Sequence, residues 1–455
     1  MIGGYLLFAS TLLLGSLVSG QAQNAQSCVN SYDQNTDYFP QKFDTSKDSA
    51  QLFTIEYHNN YKVLTDTTNN NQKYVLVQCG TPAPAISGFP NGTEVYQVPI
   101  TNAAVLSTTV VPYLEVLGVA ETTKFVSGGD WITSGCFQKY LAGSSAPAEI
   151  SVTNTTLSTQ QLSQVQVQFG YSPGAADPVA NTSVASAESF ENTVLGRSSW
   201  IGYYAAFYNL ESLATTALQQ MTTNYDNLRK AASGYKTKPV VAWTIYDAPD
   251  QYNGNLATWQ IKTGGYREQL TTDAGATIYT GSALNFTKAE DLLAAIKNVD
   301  ILIDETYIAT NLTDVLSNYQ IKDLAQYKFA KAIYREDGLL TKSGGYDWFG
   351  TPLAMADALL EDMINVVNPS APTSSYKRTW FRSVTNNDAI HYVSTDDCTW
   401  DETKPRPSLA VAFNGNAFAE PSSSSTGASS AAAPSLASAG IVTLLASTLV
   451  AVILL

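Results

Sequence analysis

The sequence predicts an α/β protein of two lobes, each built from a mostly parallel sheet flanked by helices and joined by one long spine helix. Strand-like and helix-like segments alternate in both halves of the chain. Without the apolar ends, roughly 400 residues remain, which is more than one ordinary core accommodates. Between the halves, residues 198–233 carry apolar side chains at intervals of three or four, as a long helix does.

In the first half, short strands are predicted at Val75–Val77 and Lys124–Val126. The residues Val105–Gly118 read as a helix that ends at Gly118. The segment Leu162–Val167 alternates in residue type and indicates a further strand.

In the second half, Pro239–Ile245 is predicted as a buried strand. Lys288–Lys297 is predicted as a helix and Asp300–Ile303 as the strand that follows it. Thr351–Val367 is the expected closing helix. The predicted lobes are therefore residues 23–197 and 234–398.

The spine helix is predicted to start with Ser199 as N-cap and to end at Gly234. Its apolar spacing slips once, near Asn209. At ~1.5 Å per residue, such a helix reaches nearly 50 Å, the width of two lobes.

Both ends of the chain predict export. Residues 1–22 contain an uncharged apolar run, Tyr5–Val18, followed by small residues, as in a signal peptide. Residues 399–431 read as a Ser/Ala-rich stalk and residues 432–455 as an apolar tail that is removed when a glycosylphosphatidylinositol (GPI) anchor is attached. Ser429 is the predicted attachment residue, and Gly427 is another option. The alternative is a single-pass or tail-anchored protein, for which the tail is short.

Cysteine and Asn-x-Ser/Thr usage fit the same compartment, the cell surface or cell wall. The four cysteines lack a CxxC motif and predict two disulfides. Three pairings are open, of which we favour Cys28–Cys398 with Cys79–Cys136. Five glycosylation sequons are present, at Asn91, Asn154, Asn181, Asn285 and Asn311.

Charge and histidine content narrow the function classes. The net charge of -14 disfavours nucleic acid and anionic lipid as partners. The two histidines, His58 and His391, are far apart, and we interpret His58 as a strand-face residue and His391 as structural. The sequence has no HExxH, GxSxG or phosphate-binding GxxxxGK motif. We therefore predict no enzymatic activity, no cofactor and no metal site.

A Gly-Gly-aromatic loop occurs three times, at residues 127–131, 263–267 and 343–348. Paired glycines let a ligand approach the backbone, aromatic rings offer flat surfaces, and Arg267 offers a fixed cation. Loops at the carboxyl ends of strands line the ligand crevice of α/β proteins. The alternative for each loop is an ordinary turn beside core aromatic residues. Arg197 lies where the first lobe meets the spine helix.

In order and spacing, several segments resemble the class III, or helical-backbone, periplasmic substrate-binding proteins of iron-siderophore and cobalamin importers. The resemblance covers about residues 50 to 385 and rests on the following segments: Phe53–Leu64, Tyr74–Gly80, Val98–Gly118, Thr193–Phe207, Trp259–Gly275, Gly344–Trp348 and Leu359–Pro369.

This resemblance implies a ligand cleft between the lobes and a small hinge motion. By the same resemblance, the residues expected to face the ligand are Thr108, Thr109, Trp131, Arg197, Tyr266, Arg267 and Trp348. Two departures concern carboxylates: Ser198-Ser199 stands where such proteins often have Ala-Glu, and Gly350 stands where they often have Glu.

Two functions are therefore considered. The first is a cell-surface solute-binding protein for a small ligand, most plausibly a ferric chelate, with ferric siderophore, haem and cobalamin as candidate ligands and with an unknown transporter partner. The second is a cell-wall structural or interaction protein that kept the fold without a ligand.

Overall fold

Three larger sheets, one two-stranded sheet and a central group of helices form the body of the described residues. The structure, a computed structural model, describes residues 22–46, 49–171, 182–307 and 309–421. These residues belong to one compact unit that ends at Pro421. The predicted signal peptide up to residue 21, Asn181, Ser429 and the predicted tail 432–455 lie outside the described residues.

The first sheet is four-stranded and precedes the predicted α/β alternation. Its first three strands pair antiparallel and its last two pair parallel. The strands are β1 (Phe53–Tyr57), β2 (Tyr61–Asp66), β3 (Gln72–Gln78) and β4 (Glu94–Val98).

The second sheet is five-stranded and wholly parallel. Its strands are β5 (Ala103–Val105), β6 (Thr123–Val126), β7 (Ala148–Glu149), β8 (Val167–Tyr171) and β9 (Ser183–Ala185), in the order β7-β6-β5-β8-β9.

The third sheet is seven-stranded and mixed. The strands of the second half are β10 (Val240–Asp247), β11 (Thr258–Lys262), β12 (Thr277–Ile278), β13 (Asn285–Phe286), β14 (Ile301–Asp304), β15 (Ile333–Arg335), β16 (Leu339–Leu340), β17 (Arg382–Ser383) and β18 (His391–Tyr392). At its centre β10, β14 and β15 run parallel, whereas β11, β13 and β17 are antiparallel additions. The remaining two, β16 and β18, form a separate parallel pair.

Helices cover the sheets and separate the two halves. They are α1 (Val111–Val116), α2 (Gly135–Leu141), α3 (Thr155–Leu162), α4 (Val194–Ser199), α5 (Ile201–Tyr208), α6 (Glu211–Ser233), α7 (Gly265–Asp273), α8 (Ala289–Ile296), α9 (Leu312–Asn318), α10 (Thr351–Ala354) and α11 (Ala356–Val367). The α/β class with parallel sheets flanked by helices is therefore confirmed.

Most predicted elements are present, and apart from the spine helix three are wrong in extent or type. The predicted closing helix Thr351–Val367 is divided at Met355 into α10 and α11. Val105 ends a strand, and the helix that follows begins only at Val111, because residues 108–110 form a 3₁₀ turn. Gly118 does terminate this region, with a left-handed φ of 68°. Leu162 ends a helix instead of starting a strand, and its buried side chain explains the apolar pattern.

The predicted single spine helix 198–233 is three helices, α4, α5 and α6. The break falls at Asn209, which adopts a left-handed φ of 57°. Buried Lys62 occupies the break, where its Nζ donates to Asn209 Oδ1 at 2.8 Å and to Glu211 Oε1 at 2.6 Å. Ser199 is not an N-cap, because its Oγ donates to the Leu195 carbonyl inside α4. The 23 residues of α6 span about 35 Å.

The favoured disulfide pairing is wrong. The structure joins Cys28 to Cys79 and Cys136 to Cys398. The N-terminal segment runs beside the end of β3, where the Val29 amide donates to the Cys79 carbonyl at 2.9 Å. That backbone contact places Cys28 beside Cys79. Cys136 on α2 therefore pairs with Cys398.

Residues 399–421, predicted as the start of a stalk, instead lie against the body and are called the C-terminal strap here. The strap contacts α1 through Arg406, whose Nη1 lies 2.8 Å from Glu115 Oε2. It then follows α6, where the Phe413 amide donates to Asn224 Oδ1 at 2.7 Å and the Phe418 amide to the Ala231 carbonyl. One apolar core runs through both halves and α5–α6, so the described halves and the strap form one body.

Candidate ligand cleft

Two of the three Gly-Gly-aromatic loops meet across the two halves of the chain. The first loop follows β6, where Gly128 has a φ of 74° and donates its amide to Glu149 Oε1. In the third loop, a Cβ on Gly345 would collide with the backbone carbonyl of Trp131. Close by, the Thr133 hydroxyl donates to Asp347 Oδ1 at 2.5 Å. The halves are therefore in direct contact here, and the cleft between them is closed.

A recess of about 10 Å³, no larger than one water molecule, remains at this contact. Its lining includes Thr108 and Trp131 from the first half and Tyr346 and Thr351 from the second. Trp131 is 48% exposed at its rim. Ligand pockets commonly enclose ~300–1,000 Å³, so a large chelate requires the halves to separate.

Trp348 and Thr109 are not presented to this recess. Trp348 is buried in the second half, with its ring 5.2 Å from Phe381 and 6.1 Å from Trp243. Thr109 is also buried, and its hydroxyl lies 2.8 Å from Ser107 Oγ. The structure thus places Thr108 and Trp131 at the recess and these two predicted residues in the interior.

The remaining three predicted residues form a cation–aromatic stack. The Arg197 guanidinium lies 3.6 Å from the centroid of the Tyr266 ring, and the Arg267 guanidinium lies 4.6 Å from the same centroid. Gly264 and Gly265 have left-handed φ angles of 74° and 56°, which let α7 begin directly after β11 and place Tyr266 in its first turn.

Arg197 is held by backbone groups. Its Nε and Nη2 donate to the carbonyls of Glu191 and Ser189 at 3.1 and 2.8 Å. Burial lowers the pKa of Arg197, and the Tyr266 ring and hydroxyl oppose that shift. Burial raises the pKa of Tyr266, so the phenol is neutral at physiological pH. The stack therefore presents a positive charge and a neutral donor between the halves.

Two buried carboxyl groups that the sequence analysis missed lie beside the stack. In the parallel register of β14 and β15, Asp304 is opposite Arg335, so Glu305 and Glu336 follow side by side at the carboxyl edge of the sheet. Glu305 Oε1 accepts from Arg267 Nε at 2.8 Å. Burial raises the pKa of both glutamates, and their mutual repulsion raises that of Glu336 further. The signal available in the sequence was the acidic pair Asp304-Glu305 directly after the predicted strand 300–303.

Outside the cleft, the two histidines lie at the surface. His58 follows β1 in a turn, so its interpretation as a strand-face residue is wrong, and its ring stacks on Tyr61 at 4.2 Å. His391 starts β18 and pairs through Nε2 with Asp397 at 2.8 Å. Cys136, Cys398 and Glu402 lie close together, but the two sulfurs form a disulfide and do not offer thiolates to a metal.

The described sequons are accessible. Their asparagines are all exposed: Asn91, Asn154, Asn285 and Asn311. In the part of the chain that the structure describes, every helix is too short or too polar to cross a membrane.

Comparisons with known proteins give one sequence relative and several distant structures. No family model matches the chain. An uncharacterized lipoprotein of Methanocaldococcus jannaschii is 26% identical over 337 residues, which cover 68% of this chain and 75% of that protein. A periplasmic heme binding protein from Pseudomonas aeruginosa is 14% identical, with a TM-score of 0.43 over 63% of this chain and 98% of that one.

A possible iron-binding, periplasmic solute-binding protein from Staphylococcus epidermidis is likewise 14% identical, with a TM-score of 0.44 over 59% of this chain and 99% of that one. These names describe a lipoprotein and binding proteins, not enzymes. The α/β architecture itself follows from the chain's own strand order and pairing.

Proposed function

We propose that this chain is a non-catalytic solute-binding protein of the cell surface, held there by a GPI anchor, that captures a ferric chelate between its two halves. The observation that carries the proposal is the stack of Arg197, Tyr266 and Arg267 between the halves. Among the described residues Arg197 donates to two backbone carbonyls and contacts Tyr266, but it forms no ion pair with a carboxylate, so its charge is available to an anionic ligand.

Ligand entry requires the loops around Trp131 and Gly345 to separate. One contact that holds them is the Thr133–Asp347 hydrogen bond, and a hydrogen bond to a carboxylate contributes roughly 1.5–3 kcal/mol. A ligand that bridges the halves can replace that contact. The exposed sequons and the lipoprotein relative agree with a surface location.

The test is a titration of the purified glycoprotein with ferrichrome, haemin and cobalamin, followed by tryptophan fluorescence. Saturable quenching by at least one of them is expected, and Arg197→Met should weaken it by about tenfold or more, as loss of a charge-assisted hydrogen bond does. Arg229→Ala is the matched control, because Arg229 pairs with Asp226 on the exposed side of α6. Absence of saturable binding by every ferric chelate tested, including the ferrioxamines introduced below, would refute the proposal, even if cobalamin bound.

The second candidate is a cell-wall interaction protein without a ligand. The closed contact between Trp131 and Gly345 favours it, since the recess is smaller than a chelate. The charged stack between the halves disfavours it, because a cleft that had lost its ligand has no need of two half-buried arginines. Small-angle scattering at saturating concentrations of each chelate distinguishes the two functions. If the protein stays in the closed form with every chelate tested, the second function is favoured.

A further inference from the structure

We infer that the captured ligand carries a protonated amine, which pairs with Glu336 and Glu305 beside the arginine–tyrosine stack. This inference rests on the proposed function and names one chemical group of its ligand. It concerns two glutamates, side by side after β14 and β15, at the sheet edge that faces the other half of the chain.

The first step is the state of the two carboxyl groups. Glu336 is 5% exposed and Glu305 is 9% exposed. One oxygen of each, Oε2, is fully buried without a hydrogen-bond partner among the described residues. A buried polar group that lacks a partner costs about 1–3 kcal/mol, so two such oxygens side by side indicate a missing group.

The second step is that the neighbouring cations are already paired. Arg267 is bound to Glu305 through a 2.8 Å contact. Arg335, directly before Glu336, is bound to Asp304 and to Asp337. Both arginines favour the ionised form of Glu336 through space, but neither forms an ion pair with it, so among the described residues its carboxyl group has no direct cationic partner.

The third step is why the missing group is an amine and not a metal ion. Hard cations such as Ca²⁺ take six or more oxygen ligands, and two carboxyl groups supply four at most. A primary ammonium needs three acceptors and fits between two carboxyl groups. The Arg197 guanidinium, which stacks on the Tyr266 ring, remains available to bind an anionic or carbonyl oxygen of the same ligand.

This arrangement also fixes the sign of the pH dependence. The charged and titratable groups around Glu336 are Glu305, Asp304, Arg267, Arg335 and the Tyr266 phenol. Burial and Glu305 raise the pKa of Glu336 in the empty cleft. An ammonium favours the ionised carboxylate, so its binding releases a proton and its affinity increases as the pH rises through that pKa. The amine itself stays protonated up to a pH of about 10.

A matched pair of ligands tests the inference. Ferrioxamine B carries a free ammonium group, and its N-acetyl derivative is the same ferric trihydroxamate without the charge. We expect ferrioxamine B to bind about 10- to 100-fold more tightly at pH 7.5, the range expected for a hydrogen bond to a charged group. The difference should shrink at pH 5.0.

The variant Glu336→Gln keeps the shape and should bring both ferrioxamines to the same affinity. Glu290→Gln, at the exposed start of α8, is the control and should change neither. Equal binding of both chelates by the unaltered protein overturns the inference and leaves the proposed function intact. Binding of ferrichrome or haemin without binding of either ferrioxamine has the same meaning: the inference is wrong and the proposed function stands. If none of these ligands binds, both the proposed function and the inference are wrong.

Discussion

The C-terminal strap is held by a buried ion pair, and its removal should destabilise the whole body. Arg406 Nη1 lies 2.8 Å from Glu115 Oε2, and the two side chains are 7% and 3% exposed. The other oxygen of Glu115 accepts from the Ser134 hydroxyl. Arg406→Ala leaves the Glu115 carboxylate buried without its countercharge, which costs about 3–5 kcal/mol of unfolding free energy.

A second ion pair provides the control on the same strap. Lys139 and Glu402 lie 3.1 Å apart with 53% and 27% exposed side chains. Because solvent screens this pair, Lys139→Ala should cost no more than about 1 kcal/mol. The assay is urea unfolding of the purified protein, monitored by circular dichroism, with both variants measured beside the unaltered protein.

The pH dependence of the Arg406 variant follows from the state of Glu115. Burial raises the pKa of Glu115 above its usual range, and Arg406 opposes that shift. Without Arg406 the pKa rises further, so the folded variant retains a proton that the unfolded chain loses above a pH of about 4.3. The loss of stability should therefore be smaller at pH 4.5 than at pH 7.5. A loss equal to that of Lys139→Ala, or one that grows on acidification, contradicts the reasoning.

Three further changes have defined outcomes. Replacing Cys136 and Cys398 by Ser opens a loop of 262 residues, and chain entropy predicts a loss of about 5.6 kcal/mol of unfolding free energy. Replacing Cys28 and Cys79 by Ser opens a loop of 51 residues and should cost about 4.1 kcal/mol. If urea unfolding shows a smaller loss for the Cys136–Cys398 pair than for the Cys28–Cys79 pair, this order is wrong. Glu361→Gln should flatten the decline in stability between about pH 4.5 and 7, because burial raises the pKa of Glu361 to about 7 and the folded form then holds an extra proton; an unchanged pH profile refutes this. Gly345→Ala should part the halves and increase the radius of gyration in small-angle scattering, because the new Cβ meets the Trp131 carbonyl, and an unchanged radius refutes the closed contact.

Local chemistry made the individual elements predictable. The buried strand at Pro239–Ile245 and the helix at Lys288–Lys297 follow from residue period and length alone, and both are present as β10 and α8. Gly118 and the three Gly-Gly loops were recognisable because a left-handed φ favours glycine. The slip in apolar spacing near Asn209 was visible in the sequence. That the helix breaks there could not be predicted, because Lys62, which bonds to Asn209 at the break, lies 147 residues earlier in the chain.

Every larger error involves a contact between residues far apart in the chain. The disulfides depend on where the N-terminal segment and the strap lie, and no spacing rule contains that information. Trp348 was expected in the cleft because it belongs to a Gly-Gly-aromatic loop. Its ring instead packs against Trp243 and Phe381 in the core. Glu336 was missed for the same reason, since its importance arises only when β15 is placed beside β14.

The strap changes what attachment at the C-terminus implies for the cleft. A free stalk beginning at residue 399 would leave the two halves independent of the membrane tether. Instead, the strap is bonded to α1 by Arg406, to α6 by Phe413 and to the end of α6 by Glu420, whose carboxylate accepts the Lys236 amide at 3.0 Å. Residues on both sides of the cleft are thereby tied to one segment. Separation of the halves must either preserve these contacts by bending about α6 or break the Arg406–Glu115 pair, so the Arg406 variant that lowers stability should also ease opening of the cleft.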